Sequence, residues 1–273
     1  FIDVTYHRED YIYKEREDGL LEKVSYRKRP GTVAICAAIM NRYKVDAVPH
    51  LICGGFTKEE TENALIDLQF LGIDNVLVLR GDARKADATF VPTPGGHAYA
   101  SGLLKQVTQM NQGKYLHQEH DDTFKTDFCI GVAGYPEKHF ESPNLKTDFK
   151  YLKKKVDLGA DFIVTQMFYD VQKYIDFVEQ CRKNDIHVPI IPGLKPITSS
   201  KQLVSLPKLF HIDVPEALSE AVSSCKSEAE VKEVGIEWMI HQGKELVKIG
   251  APVLHFYTMS NPGPTKKIAE AIF

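Results

Sequence analysis

The chain has 273 residues, enough for one large α/β barrel or for two smaller domains. Its formal net charge of −3 provides no basic field to hold nucleic acid, and no apolar run approaches the ~20 residues that a membrane span needs. The five cysteines are scattered and never spaced C-x-x-C. This argues against a disulfide framework or a zinc site and favours a reducing, cytoplasmic setting.

Strand-like and helix-like segments alternate along the chain. Short β-branched runs predict seven strands, at 1–6, 45–53, 75–80, 127–135, 161–168, 187–194 and 252–258. Amphipathic stretches predict helices at 31–43, 57–72, 98–112, 144–159, 171–184, 199–210 and 228–249, and a last one from about 264 to the end.

Helix boundaries are marked by capping residues. Gly72, Gly159 and Gly250 each stand at the expected C-terminal end of a helix, where glycine accepts a left-handed conformation. Thr57 opens a capping-box pattern, and Ser227 opens another. Ser142, followed by a proline, is the expected N-cap of the helix at 144–159.

The repeated helix–turn–strand unit predicts an α/β fold, a (β/α)8 barrel of the TIM type. Seven such units favour a barrel over an open sheet, and a barrel of this kind uses eight strands. Since the chain opens directly on a strand, we expect the first barrel strand to be absent from this chain and to lie upstream. Residues 1–273 are then expected to form a single barrel domain that is incomplete at its N-terminus.

Two segments depart from this rhythm. Residues 8–30 are rich in charge, and residues 83–97 end in a run of prolines and glycines. Both follow the C-terminal end of a predicted strand, which is the face of a barrel where functional loops gather. For residues 8–30, surface decoration is the preferred interpretation.

Polar residues recur where the predicted strands end. Each alone has an ordinary structural explanation, such as a hydrogen-bonded core histidine or a turn, but in a barrel these positions converge on one mouth. The residues are Thr5, Tyr6, His50, Arg80, Gly81, Asp82, Tyr135, Pro136, Glu137, Gln166 and Tyr257.

The chemistry that these residues favour is the binding of an anionic ligand. Arg80 is suited to bidentate pairing with phosphate, and Lys154 and Lys155 lie one helical turn beyond Asp148 and Tyr151, so that one helix face could meet a diphosphate. A solvated lysine face is the alternative interpretation of that helix. The sequence contains no Rossmann, P-loop or G-x-S-x-G motif and no metal-ligand cluster, so a nucleotide cofactor would have to be held by the barrel itself.

An ordered set of motifs resembles the methylenetetrahydrofolate reductase family over essentially the whole chain. The motifs are Val4-Thr5-Tyr6, Pro49-His50-Leu51, Leu79-Arg80-Gly81-Asp82, Tyr99-Ala100-Ser101, Tyr135-Pro136-Glu137 with His139, the lysine-rich 152–159, Thr165-Gln166-Met167-Phe168, Ile191-Pro192-Gly193 and His255-Phe256-Tyr257-Thr258.

The resemblance implies a flavin-dependent oxidoreductase acting on CH–NH donors. It implies non-covalent FAD at the strand ends and a ping-pong cycle, in which NADH or NADPH reduces the flavin and 5,10-methylenetetrahydrofolate then becomes 5-methyltetrahydrofolate. It also implies a cytoplasmic homo-oligomer in one-carbon metabolism, with roles in tetrahydrofolate interconversion and methionine biosynthesis. No metal, nucleic acid or membrane is implied.

Residue roles follow from the same resemblance. Asp82 would be catalytic, because a fixed carboxylate beside the pterin stabilises the cationic iminium form of the folate. Substrate contacts would be Asp82, Gln166 and Gln202. The FAD contacts would be Thr5, Tyr6, His50, Arg80, Gly81, Asp82, Tyr99, Ala100, Tyr135, His139, Asp148, Lys154 and Lys155.

The chain departs from the family pattern at several points. Tyr151 stands where the family often has a polar FAD contact, and Asn261 stands about where an arginine commonly follows the His-Phe-Tyr-Thr motif. The family's general-acid glutamate belongs to the first strand, which has no counterpart here, and no regulatory domain is expected.

Two alternative functions stay open at this point. One is another FAD-dependent barrel oxidoreductase, similar to proline dehydrogenase. The other is a non-catalytic scaffold that binds flavin or folate, which the missing glutamate favours.

Overall fold

The computed structural model describes residues 1–6, 10–26, 29–83, 89–117 and 124–273 of the chain. These residues divide into two compact units. Unit 1 comprises Phe1–Val132 with Leu158–Ala160, and unit 2 comprises Ala133–Asp157 with Asp161–Phe273. The prediction of a single domain stays a prediction.

Unit 1 contains a parallel array of short strands in chain order. Ile2 pairs with Ala47, His50 with Leu77, and Asn75 with Cys129, always in parallel. The strands are β1 (Ile2–Val4), β4 (Ala47–Ile52), β5 (Asn75–Leu79) and the start of β6 (Cys129–Gly134).

The helices of unit 1 bury their apolar faces against this array. Leu65 and Leu68 of the second helix and Leu104 and Met110 of the third are fully buried, as is Val76 of β5. Burying each such side chain contributes about 1.5–3 kcal/mol of transfer free energy. The helices are α1 (Thr32–Tyr43), α2 (Lys58–Phe70) and α3 (Ala100–Asn111).

Residues 8–30, expected to be surface decoration, include a β-hairpin. Strand β2 (Asp10–Glu15) pairs antiparallel with β3 (Leu21–Tyr26). Gly19 supplies the left-handed residue of the connection, with φ of 76°. The described part of this segment is therefore a hairpin, and its side chains at 12–23 are exposed, which is compatible with surface decoration.

Unit 2 holds the remaining parallel strands. Ile163 and Val164 pair with Ile190 and Ile191, and Gly193 pairs with His255. The strands are the end of β6, β7 (Phe162–Met167), β8 (Ile190–Leu194) and β9 (His255–Phe256).

Six helices belong to unit 2 within the described residues. One of them, at 216–223, was not predicted, since it is short and lies inside a predicted connection. The helices are α4 (Leu145–Asp157), α5 (Val171–Lys183), α6 (Gln202–Phe210), α7 (Glu216–Ser223), α8 (Glu228–Lys248) and α9 (Pro262–Ile272).

The predicted helix signals hold in part. Thr57 forms both hydrogen bonds of a capping box with Glu60. Ser227 accepts from the Glu230 N–H, but the Glu230 carboxylate accepts the N–H of Lys226, so the second box is incomplete. The Ser142 cap is wrong: Asn144 Oδ1 accepts the Thr147 N–H at 2.9 Å instead. The hydroxyl of Ser142 donates to Asp148, a contact that bears on the site below.

The predicted fold class is confirmed. Seven parallel strands alternate with helices in the described part of the chain, as in a TIM-type barrel. Six of the predicted strands lie within a few residues of the observed ones, whereas the seventh is reduced to His255–Phe256.

Candidate functional site

In unit 1, a carboxylate and a histidine meet across the first two parallel strands. Asp3 Oδ2 lies 3.7 Å from His50 Nε2, and both side chains are largely buried. The charge of Asp3 also contributes to the raised pKa of the neighbouring Cys36, although burial is the larger cause. His50 was predicted, but Asp3 was not, because one acidic residue in a short strand carries no distinguishing pattern.

The Arg80-Gly81-Asp82 turn directly follows β5. The guanidinium of Arg80 lies 5.1 Å from the ring centroid of Phe90, within cation–π range. Gly81 has φ of 84°, which an L-residue rarely adopts. Asp82 is exposed. The turn thus presents a cation and a carboxylate at the C-terminal end of a buried strand.

The glycine-rich loop before α3 packs tightly against the β4–α2 connection. A side chain at Gly96 would lie 2.4 Å from the Phe56 carbonyl oxygen, so glycine is required there. The Phe56 ring lies 4.8 Å from that of Tyr6. Next to this loop, Tyr99 is 66% exposed and Ala100 begins α3. Thr5 is exposed after β1.

In unit 2, Asp148 organises the loop that follows β6. Its Oδ2 accepts the backbone N–H of His139 at 3.1 Å, and its Oδ1 accepts the hydroxyl of the buried Ser142 at 2.8 Å. The ring of His139 lies edge-on to Tyr135, with centroids 4.6 Å apart. The structure therefore brings together three of the predicted cofactor contacts: Tyr135, His139 and Asp148.

The two adjacent lysines of α4 have different surroundings. Lys155 Nζ donates to the Ala133 carbonyl oxygen at 2.6 Å, and desolvation lowers its pKa to about 8 while the charge of Asp148 opposes that shift. Lys154 and Tyr151 are exposed. Only Lys155 is thereby tied to the end of β6.

Glu137 carries the most perturbed carboxyl in this loop. Burial raises its pKa to about 7, and the nearby carboxylates of Asp213 and Asp170 act in the same direction. The Asp213 N–H, which donates to Glu137 Oε2 at 3.0 Å, and the charge of Lys173 oppose the shift. Its carboxyl is therefore partly protonated at neutral pH.

The end of β7 is locked by hydrogen bonds around Thr165. Its hydroxyl accepts the Gly193 N–H at 2.9 Å, and its carbonyl accepts the Tyr257 hydroxyl at 2.7 Å. Gln166 follows, half-buried, with Oε1 accepting the Met167 N–H at 3.0 Å. These bonds fix the backbone from which Gln166 projects.

Gln202 stands at the start of α6. Its Oε1 accepts the N–H groups of Thr198 at 2.6 Å and Ser199 at 3.3 Å. The amide therefore closes the loop between β8 and α6. Asn261, the other position with an unusual residue, is the N-cap of α9 and is exposed.

Metal ligation and membrane insertion have no support in the described ranges. No group of three or more His, Cys, Asp or Glu residues there is placed to hold a metal ion. Among the same residues, no helix combines the length and hydrophobicity that crossing a bilayer requires.

The sequence model of the methylenetetrahydrofolate reductase family matches residues 1–272. Among curated relatives, methylenetetrahydrofolate reductase 1 of Schizosaccharomyces pombe is 35% identical over 88% of this chain and 38% of its own length. Methylenetetrahydrofolate reductase (NADH) 1 of Arabidopsis thaliana is 36% identical over 84% of this chain and 38% of its own. The probable NADPH enzyme of Caenorhabditis elegans is 28% identical over 100% of this chain and 37% of its own.

The chain thus spans well under half the length of these relatives. Among solved structures, an uncharacterized protein from Clostridium thermocellum, which binds two copies of 5-methyl-5,6,7,8-tetrahydrofolic acid, matches with a TM-score of 0.51. It is 18% identical, and the match covers 86% of this chain and 76% of that one. At this identity the likeness supports the fold.

Proposed function

This chain belongs to the methylenetetrahydrofolate reductase family, and from that premise we propose that it reduces 5,10-methylenetetrahydrofolate to 5-methyltetrahydrofolate with electrons from NADH or NADPH. The observation that carries the proposal is the family match over residues 1–272, which includes every motif-bearing strand end. Both nicotinamide nucleotides stay candidates, because relatives are named for NADH in Arabidopsis thaliana and for NADPH in Caenorhabditis elegans.

We further propose that FAD is the bound cofactor, and the donors of unit 2 fit it. A diphosphate needs cationic and N–H donors, and the β6–α4 region offers Lys155, His139 and, on the surface, Lys154. Asp148 fixes the backbone of His139 and holds a negative charge close to Lys155. Tyr135, edge-on to His139, adds an aromatic face to the same group.

The proposed contacts of unit 1 are of two kinds. Arg80 supplies a guanidinium, and its stacking on Phe90 limits the side chain's freedom before any ligand arrives. The others offer backbone, hydroxyl, imidazole or aromatic groups at the strand ends and at the start of α3. They are Thr5, Tyr6, His50, Gly81, Tyr99 and Ala100.

When bound, FAD would carry two electrons from the nicotinamide to the folate. The chain's own contribution to the folate step is the carboxylate of Asp82. Before it can accept a hydride, methylenetetrahydrofolate must open its protonated five-membered ring to a cationic iminium, and a carboxylate fixed beside that cation would lower the barrier to its formation. Gln166, held on the locked end of β7, and Gln202 would orient the substrate.

The experiment is to purify the protein, measure flavin per chain, and follow the flavin absorbance under anaerobic conditions. NADH or NADPH should bleach the flavin, and methylenetetrahydrofolate should restore its colour. Proline serves as the control substrate, since a proline dehydrogenase-like enzyme would be bleached by proline. A protein that binds no added FAD would overturn the proposal. A flavin that folate never reoxidises would also overturn it, and bleaching by proline would then distinguish the proline dehydrogenase-like enzyme from the scaffold.

A further inference from the structure

Lys195 is a buried cation that sequence reasoning did not single out. It directly follows β8, within a run of buried residues, and is only 7% exposed. Lysine is rarely so deeply buried unless it is paired. Its position in an apolar run, between Leu194 and Pro196, gave no motif that could have drawn attention to it.

The amine of Lys195 has no partner among the residues that the structure describes. Neither a hydrogen bond nor an ion pair reaches it there, and desolvation alone lowers its pKa, with no carboxylate acting against that shift. Lys155 differs in both respects, since it has the Ala133 carbonyl and the charge of Asp148. Since the described residues provide no acceptor, the amine of Lys195 depends on solvent or on a bound ligand for its hydrogen bonds.

Lys195 is not fully enclosed, since 7% of the residue's surface is exposed, and a lysine stem can be buried while its amine meets solvent or a ligand.

The strand register places Lys195 at the carboxyl edge of unit 2. The Tyr257 N–H donates to the Leu194 carbonyl at 2.8 Å, one residue before Lys195. On the other side of β8, Gly193 pairs with Met167, the residue after Gln166. Lys195 is the first residue beyond the C-terminal end of β8. Ligands of parallel α/β sheets bind at this edge of the strands.

A second donor lies on the same connection. Backbone N–H groups can only donate, so the amide atom of Gln202 that faces Thr198 and Ser199 must be its oxygen. The NH2 group of Gln202 therefore points elsewhere, and nothing in the described part of the chain accepts from it. An ammonium and an amide NH2 with no acceptor of their own fit an anionic oxygen ligand.

We propose that Lys195, with the Gln202 amide, binds a carboxylate of the glutamyl part of the folate substrate. This rests on the proposed function, and it adds a substrate-binding residue to it. Among the proposed ligands only folate carries a carboxylate. The donors offered to a diphosphate stand on a different connection, between β6 and the end of α4.

The test compares two ligands and three variants. The ligands are 5-methyltetrahydrofolate and 5-methyltetrahydropteroate, which lacks the glutamate, and the readout is Kd by isothermal titration on the flavin-loaded protein. The variants are Lys195→Met, Lys195→Arg and, as the matched control, Lys201→Met, an exposed lysine on the same connection. Methionine keeps the length and fills the apolar surroundings, so the variant should melt no lower than the wild type.

We expect the wild type to bind the folate at least about tenfold more tightly than the pteroate. Lys195→Met should weaken folate binding by about tenfold or more and leave pteroate binding unchanged, so that the preference disappears. Lys195→Arg should keep part of the preference, and Lys201→Met all of it. FAD content and reduction by NADH should be unaffected in every variant.

Equal losses for both ligands, or none, would overturn the assignment, and so would a wild type that binds folate and pteroate equally, a result that needs no variant. A wild type that binds neither ligand would instead contradict the proposed function itself.

Discussion

Two aspartates of the candidate site have opposite surroundings. Asp82 in unit 1 follows β5 in a glycine-containing turn and is exposed. Asp148 in unit 2 sits in the first turn of α4, where both of its carboxylate oxygens accept hydrogen bonds, one from the His139 N–H and one from the Ser142 hydroxyl. The same functional group is thus presented to solvent in one unit and built into the backbone of a loop in the other.

This difference between the two carboxylates suggests a catalytic role for one and a structural role for the other. A carboxylate that accepts from two groups of its own loop has little capacity left for a substrate, but it holds that loop in one conformation. An exposed carboxylate at a strand end can face a ligand. We therefore propose a catalytic role for Asp82 and, for Asp148, the positioning of His139 and Lys155.

The largest expected effect is the loss of reaction rate when Asp82 is replaced. Asp82→Asn should leave melting and FAD content unchanged and slow the folate half-reaction by about 10²–10³. The nicotinamide half-reaction should slow much less, because it involves no iminium folate for this carboxylate to stabilise. Stopped-flow flavin absorbance measures both steps. Equal slowing of the two would show that Asp82 is only a cofactor contact and would remove the contrast with Asp148.

Removing the carboxylate of Asp148 should lower the free energy of unfolding. Asp148→Ala leaves the His139 N–H and the buried Ser142 hydroxyl without their acceptor, at a cost of about 1–3 kcal/mol. Denaturant unfolding measures the change, and FAD content should fall with it. Asp157→Ala at the exposed end of the same helix is the control and should cost under about 1 kcal/mol. A stable Asp148→Ala protein with full FAD content would contradict the scaffold role.

Two cations should weaken FAD retention when removed. Arg80→Ala and Lys155→Met should each raise the Kd for FAD by roughly tenfold or more, because a charge-assisted hydrogen bond contributes about 1.5–3 kcal/mol. Lys150→Met, an exposed position on α4, is the control. Fluorescence titration of the flavin-free protein gives the constants.

The affinity for FAD, measured by the same fluorescence titration, should depend on pH. The folded-state pKa of Lys155 is lowered to about 8, so the ammonium is charged below that pH and neutral above it. FAD affinity of the wild type should therefore fall as pH rises through about 8, and this fall should be smaller in Lys155→Met. An identical profile in both proteins would exclude Lys155 as the titrating contact.

The smallest expected effect concerns Glu137. Its pKa is raised from 4.5 to about 7, so between these values the folded state holds more protons than the unfolded state. Stability then falls as pH rises from about 4.5 to about 7 and levels off above. Glu137→Gln keeps an acceptor for the Asp213 N–H but cannot titrate, so its stability relative to the wild type should increase across that window. Thermal melts with Glu179→Gln as control test this, and parallel profiles would show that Glu137 does not titrate there.

The sequence was sufficient to predict those features of the fold that depend on a single local rule. Gly72, Gly159 and Gly250 all adopt positive φ at helix ends as predicted, because few other residues tolerate that conformation. The strand end at Arg80–Asp82 was located from the β-branched run before it and from the family motif. The cytoplasmic location and the homo-oligomer stay predictions.

Other features depend on contacts that no local pattern encodes. The Asp3–His50 contact joins residues on separate strands. The burial of Lys195 without a charged partner in the described residues depends on the tertiary packing around it. The hairpin at 10–26 has a local signal that the prediction did not use, the Asp18-Gly19 pair in its connection.

The most direct test of the account is an anaerobic single turnover. The flavin-loaded protein is reduced with one equivalent of NADH or NADPH and mixed with methylenetetrahydrofolate, and 5-methyltetrahydrofolate is quantified by chromatography. The account predicts close to one product per reduced flavin, with Asp82→Asn reaching the same yield far more slowly. A reduced flavin that persists in the presence of the folate, with no 5-methyltetrahydrofolate formed, would contradict it.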